Sequence, residues 1–161
     1  MKYVDVKVVF RELPNEITLA INLSGCPCKC VGCHSPYLAN DVGTLLTNDE
    51  LDMLIRKNIG ITAVCFMGGD ANPLEVEQLA RHIQNEWSRL LHVGWYSGRN
   101  MLPDNIDLSV FDYIKIGKYI QESGPLNKST TNQKMYRVSR DGVNISLTDI
   151  TSHFWTHHYT S

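Results

Sequence analysis

Four of the chain's five cysteines fall in one short run, Cys26-Pro27-Cys28-Lys29-Cys30-Val31-Gly32-Cys33, and His34 follows the last of them. The fifth, Cys65, stands alone in an apolar stretch. Packing does not explain such crowding, because a core takes buried thiols one at a time. Thiolates at close spacing are metal ligands, and several ligand spacings coexist here. Cys26, Cys30 and Cys33 make C-x3-C-x2-C, whereas Cys30, Cys33 and His34 make C-x2-C-H. The run is therefore open to an iron–sulfur cluster, to covalent haem or to zinc.

Each option makes a different demand. A closed zinc site wants four ligands, usually two close pairs from separate loops. No second C-x2-C pair exists, so Cys28 or His34 would have to complete the set; a non-catalytic zinc-binding adaptor stands as the alternative of a different class. Covalent haem belongs with exported proteins. The opening Met1-Lys2-Tyr3-Val4-Asp5 alternates and carries an early acid, unlike the apolar core of a signal peptide. Three close cysteines would leave one iron of a four-iron cluster without a protein ligand. An open position is what a catalytic metal site needs. On that reading Cys28 is a non-ligand between two ligands, and Cys65 is a core thiol.

The surroundings are those of an ordinary globular chain. Its 161 residues, 43% hydrophobic and 20% charged, suit a single domain over 1–161. A formal charge of -2 gives no phosphate-seeking surface, so nucleic acid is not an expected partner. No apolar run approaches a bilayer span, so no membrane role is expected. A cytoplasmic protein with reduced thiols is expected, in which clustered cysteines bind metal.

Something must hold the cysteine run in place. Val4, Val6, Val8 and Phe10 alternate as a half-buried strand, and Ile17–Leu23 reads as a second, more apolar one after the turn Leu13–Glu16. Thr47-Asn48-Asp49-Glu50 is a capping box, followed at helical spacing by Leu51, Leu54, Ile55 and Ile59, with Gly60 as the stop. Thr62–Met67 reads as a buried parallel strand. Asn72-Pro73 then opens a helix whose apolar face is Val76, Leu79, Ala80, Ile83, Trp87 and Leu90. His92–Tyr96 and Tyr113–Ile116 read as further strands. Residues 135–138 and 143–147 flank a turn as a terminal hairpin, and the aromatic, His-rich tail 151–161 has no assignable structure.

Strands alternating with helices imply a parallel sheet. In such sheets ligands gather beyond the carboxyl ends of the strands. The loops there hold the cysteine run, Gly68-Gly69-Asp70, Ser97-Gly98-Arg99 and Gly117-Lys118. They define one candidate site.

With these residues in view, the chain resembles the radical S-adenosylmethionine superfamily, whose C-x3-C-x2-C motif binds a 4Fe-4S cluster. It is most similar to the branch of small glycyl-radical activating enzymes that serve anaerobic ribonucleoside-triphosphate reductase. Gly25-Cys26, Gly32-Cys33-His34, Gly68-Gly69-Asp70, Tyr96-Ser97-Gly98, Asp112-Tyr113-Ile114 and Thr131-Asn132-Gln133-Lys134 carry the likeness, over about residues 17–138. It departs where many members have Gly-Gly-Glu followed by Pro, since here Asp70 stands and Pro73 comes later. The gap Pro27-Cys28-Lys29 also lacks the histidine that the branch often has there.

The resemblance implies an α/β fold, a compact partial (open) βα barrel with short terminal hairpins, because 161 residues fall short of a full eight-unit barrel. It implies that Cys26, Cys30 and Cys33 ligate the cluster. S-adenosylmethionine would chelate the open iron and be cleaved reductively to a 5′-deoxyadenosyl radical. Gly68 and Gly69 would let backbone approach its methionine moiety, though a tight strand-to-helix turn would also need them. Asp70 would receive its ammonium group, Tyr37 would cover adenine, and Ser97 and Arg99 would hold a carboxylate or ribose. His34 would support the cluster from behind its ligands. The implied partners are anaerobic ribonucleotide reductase, on which a glycyl radical is made, and a flavodoxin- or ferredoxin-like electron donor. A radical enzyme for another substrate is the nearer alternative.

Overall fold

The structure, a computed structural model, describes residues 1–25, 42–87 and 90–155. The cysteine run, His34 and Tyr37 lie outside the described residues.

The elements are β1 (Lys2–Val9), β2 (Thr18–Leu23), β3 (Thr44–Leu45), α1 (Asn48–Lys57), β4 (Ala63–Met67), α2 (Pro73–Glu86), β5 (His92–Tyr96), β6 (Tyr113–Ile116), β7 (Lys134–Asp141) and β8 (Asn144–Asp149). Among the described residues all eight strands form one sheet in the order β3-β1-β2-β4-β5-β6-β7-β8, which does not close on itself. The inner four, β2, β4, β5 and β6, run parallel, and the flanking pairs are antiparallel. The expected parallel core and both hairpins are present. Among the described residues the fold is mixed α/β, with two helices against eight strands.

Period-two alternation sorts the parallel strands into two buried faces. Leu19, Ile21, Leu23, Val64, Phe66, Val93, Trp95 and Ile114 face the helices, meeting Leu51, Leu54 and Ile55 of α1 and Val76, Leu79, Ala80 and Ile83 of α2. Trp95 stacks on Phe111, their ring centroids 5.5 Å apart. On the other face Ala63, Cys65 and Met135 pack with Leu13 and Leu126. Leu13, from the β1–β2 loop, lies so close over β5 that a Cβ at Gly94 would stand 2.9 Å from both its Cδ atoms. Cys65 is fully buried there, and burial pushes its thiol pKa up, so it is the core thiol expected from its setting.

Helix boundaries follow the caps. Thr47 Oγ1 accepts the Glu50 N–H at 3.1 Å, but the Glu50 carboxylate turns to the Tyr3 hydroxyl (2.5 Å) instead of back to Thr47. That bond pushes the Tyr3 pKa up to about 12. Asn72 Oδ1 caps α2 through the Glu75 N–H, with Pro73 in its first turn. Two expected helix-face residues are corrected. α1 ends at Lys57, leaving Ile59 96% exposed, and α2 ends at Glu86, leaving Leu90 71% exposed. Both follow the cap residues, Asn58 and Trp87, where helical periodicity no longer applies.

β3 is unforeseen: two residues, Thr44 and Leu45, pair with Tyr3 and Lys2 of β1. A 3-10 turn, Leu108–Val110, replaces a helix between β5 and β6, and another, Thr151–Phe154, begins the tail. No helix among the described residues is long and apolar enough to cross a membrane.

Candidate functional site

Because β2, β4, β5 and β6 are parallel, the chain leaves all four at the same edge of the sheet. Ser24 and Gly25 follow β2, Gly68-Gly69-Asp70 follows β4, Ser97-Gly98-Arg99 follows β5, and Gly117-Lys118 follows β6. The cysteine run begins directly after Gly25.

The β4 loop turns sharply onto α2. Gly68 and Gly69 have φ of 102° and 86°, a region that side chains other than glycine rarely adopt. A Cβ at Gly69 would sit 2.5 Å from Val76 Cγ2. Gly68 is fixed at both polar ends, donating N–H to Tyr96 O (2.9 Å) and accepting from Trp95 Nε1 (2.7 Å). The turn alone thus accounts for both glycines.

Asp70, next in line, is fully buried and ties two loops together. Its Oδ1 accepts the Ser97 hydroxyl at 2.5 Å, and its Oδ2 accepts the Gly98 N–H at 2.9 Å. Ser97, also fully buried, accepts the Arg99 N–H at 3.1 Å. The exposed Arg99 side chain returns to donate from Nη2 to Asp70 O at 2.7 Å, and Arg99 O accepts from Gly117 N at 2.7 Å. Three loops are joined by one polar network. Asp70, Ser97 and Arg99, singled out separately in the sequence, are direct neighbours.

Beside this network, on the face away from the helices, lies a cleft of about 700 Å³. Met67, Tyr96 and Lys115, from β4, β5 and β6, line it with Gln133, Tyr119 and Leu126. Lys115 is 8% exposed. Its Nζ lies 3.4 Å from Ser97 O and 3.3 Å from Gly117 O, and 5.7 Å from the centroid of the Tyr96 ring. Ser97 therefore faces two ways, its hydroxyl to Asp70 and its carbonyl to the lysine. Burial holds the Tyr96 phenol well above its ordinary pKa, and its hydroxyl donates to Glu12 O. The cleft joins apolar walls to the charged Lys115, Arg11 and Glu12 and to the Gln133 amide, the mixture typical of small-molecule sites.

Lys115 and Gln133 are missed as site residues by the sequence reading. For Lys115 a signal existed: alternation in Tyr113-Ile114-Lys115-Ile116 puts it on the face opposite the core residue Ile114. Gln133 reaches the cleft through the loop before β7, which has no periodicity to read; its only signal was its place in Thr131-Asn132-Gln133-Lys134, one of the segments that carry the likeness.

A second depression, about 450 Å³, lies at the opposite edge, by Glu16, Thr62 and His92. None of the candidate cluster or cofactor residues lines it, although Leu90 and Asp112 do. The buried Glu16 carboxylate there accepts from Thr62 Oγ1 and meets His92 Nδ1 at 2.5 Å, so it braces the amino ends of β4 and β5. Cys26, Cys30, Cys33 and Tyr37 fall outside the described residues, as does the geometry of any metal they hold. Among the described residues no group of three or more His, Cys, Asp or Glu is arranged to hold a metal ion.

No family model, no curated protein and no solved structure matches the chain.

Proposed function

We propose that this chain is a radical S-adenosylmethionine enzyme that activates anaerobic ribonucleoside-triphosphate reductase by generating a glycyl radical on it. The observation that supports the reading most is positional. A C-x3-C-x2-C run leaves the carboxyl edge of a parallel sheet, where three other loops and a cleft converge.

The donor set suits a 4Fe-4S cluster. Three thiols, Cys26, Cys30 and Cys33, would hold three irons and leave the fourth open to S-adenosylmethionine. The cleft beside the loops after β4, β5 and β6, at about 700 Å³, is in the size range of sites for small-molecule ligands. Held by these thiols, a reduced cluster would supply the electron for splitting S-adenosylmethionine into methionine and a 5′-deoxyadenosyl radical, which would end as 5′-deoxyadenosine on taking a hydrogen from a glycine Cα of the partner.

The protein's own work is to bind, orient and exclude water. Asp70, bonded to Ser97 and Gly98, would receive the ammonium group of the methionine moiety. With Ser97 and Arg99 it also fixes the loops around the ligand, while Tyr37 would cover the adenine. Lys115 and Gln133 would present a cation and an amide from the cleft wall. The open sheet is read as the wall of a partial barrel, whose gap admits a polypeptide loop of the reductase. A flavodoxin- or ferredoxin-like protein in the cytoplasm would supply the electron.

Anaerobic reconstitution with iron and sulfide, followed by metal and sulfide analysis, tests the cofactor. About four irons and four sulfides per chain are expected. Stoichiometric zinc without sulfide would replace this reading with the zinc adaptor.

A further inference from the structure

The two ends of the sheet are finished differently. At one end β3 is only Thr44–Leu45, and a strand that short offers little to pair with. At the other, β8 presents six residues, Asn144–Asp149, all exposed. Its register with β7 is unbroken from Tyr136↔Asp149 to Asp141↔Asn144, so no bulge turns the edge away. From Val143 to Thr148 the sequence is Val-Asn-Ile-Ser-Leu-Thr, with no charge, proline or glycine. Natural edges are normally protected by lysine, proline, a bulge or a cover. Among the described residues none of these protects β8.

The strand is also nearly palindromic. About Ser146 it reads polar, apolar, Ser, apolar, polar: Asn144-Ile145-Ser146-Leu147-Thr148. A two-fold interface requires this kind of self-complementarity, residue i meeting j while j meets i. We propose that β8 pairs antiparallel with β8 of a second copy of this chain, about a two-fold axis at Ser146.

In that register Ile145 lies opposite Leu147 of the second copy, and Asn144 opposite Thr148. Both apolar residues lie on the sheet face of Val138, the β7 partner of Leu147, and are 38% and 37% exposed in the single chain. Pairing makes them a four-residue apolar cluster at cross-strand distance. Asp149, the one charge on β8, meets the uncharged Val143. No like charges face each other. The interface is small, so the dimer depends on concentration, with a dissociation constant on the order of micromolar. It stands apart from the proposed activity.

Sedimentation velocity on the full chain, from about 1 to about 200 μM, tests it. The expected result is a shift from monomer to dimer mass with rising concentration. Leu147→Lys should raise the dissociation constant at least about tenfold, with the native circular dichroism of the dilute chain retained. Ile145→Pro removes an N–H that β8 presents at its free edge, since alternate residues such as Ser146 and Ile150 turn theirs to β7, and should leave a monomer. Should that variant fail to fold, Leu147→Lys decides. A wild-type chain that stays monomeric throughout would overturn the proposal, as would a dimer that Leu147→Lys leaves equally tight.

Discussion

The hydroxyl of Ser97 donates to Oδ1 of Asp70 at 2.5 Å, across 27 residues, with both side chains fully out of solvent. This bond fastens the loop after β4 to the loop after β5. Both loops border the edge from which the cysteine run departs. A buried carboxylate with its donors in place is stable, whereas the same group with a donor removed carries the full cost of desolvation.

Removing either partner should therefore cost more than an average hydrogen bond. Ser97→Ala deprives Asp70 of a donor and the Arg99 N–H of its acceptor, and should destabilise by about 2 kcal/mol. Asp70→Ala strands Ser97 and Gly98 N–H together and should cost about 3 kcal/mol. Urea midpoints measure both. In a double-mutant cycle the two losses should fall well short of adding, because they break one network.

Gly94 gives a packing test. Gly94→Ala would thrust a methyl against Leu13 and Cys65 Sγ, 2.9 Å and 3.2 Å away, and should cost about 1–3 kcal/mol. Leu13→Ala alone opens a cavity and should cost about 2–4 kcal/mol. Combined, they should be less harmful than their sum, as denaturant titration would reveal. Strict additivity would mean that Leu13 does not cover Gly94 in solution.

Acid should loosen the contact between the helices. Burial alone would raise the Asp52 pKa, but hydrogen bonds from Trp87 Nε1 and His82 Nε2, each 2.9 Å, outweigh it and hold the carboxyl below its ordinary value. For a depressed carboxyl, stability is fully present above the unfolded pKa, about 4, and is lost as pH falls through the folded value. Urea midpoints should fall below about pH 4, and Asp52→Asn should lower the midpoint at neutral pH and flatten that fall. Equal acid sensitivity in wild type and variant would assign it to other carboxylates, such as Asp107 and Asp149, which hydrogen bonds from Ser109 and Thr151 also depress.

The parallel core was legible because its strands are continuous apolar runs and both helices carry side-chain caps at Thr47 and Asn72. The convergence of Asp70, Ser97 and Arg99 followed from strand direction alone. Less could be read where tertiary contacts override local pattern. Glu50 abandons its capping-box bond for Tyr3, 47 residues away, and β3 exists only because β1 offers it an edge. Gly68 and Gly69 satisfied a ligand reading and a turn reading equally in sequence, and the positive φ of both and the Val76 contact at Gly69 explain why the turn needs them. Lys115 hid in a four-residue strand too short for its alternation to stand out.

Cys65 should be chemically silent. It is fully buried and its thiol pKa is raised by desolvation, so little reactive thiolate forms. With Cys26, Cys28, Cys30 and Cys33 all replaced by serine, a thiol reagent should find no reactive group in the native chain and one after denaturation. Rapid native labelling would contradict this packing.

The central claim is that three cysteines of the run, and not Cys28, equip this edge for radical chemistry. The most direct measurement is electron paramagnetic resonance of anaerobic ribonucleotide reductase incubated with the reconstituted, reduced chain and S-adenosylmethionine. A glycyl radical is expected with wild type and with Cys28→Ala, and none with Cys30→Ala. A wild-type chain that carries the cluster and cleaves S-adenosylmethionine yet leaves no radical on the reductase would contradict the partner, and equal loss in both variants would contradict the ligand set.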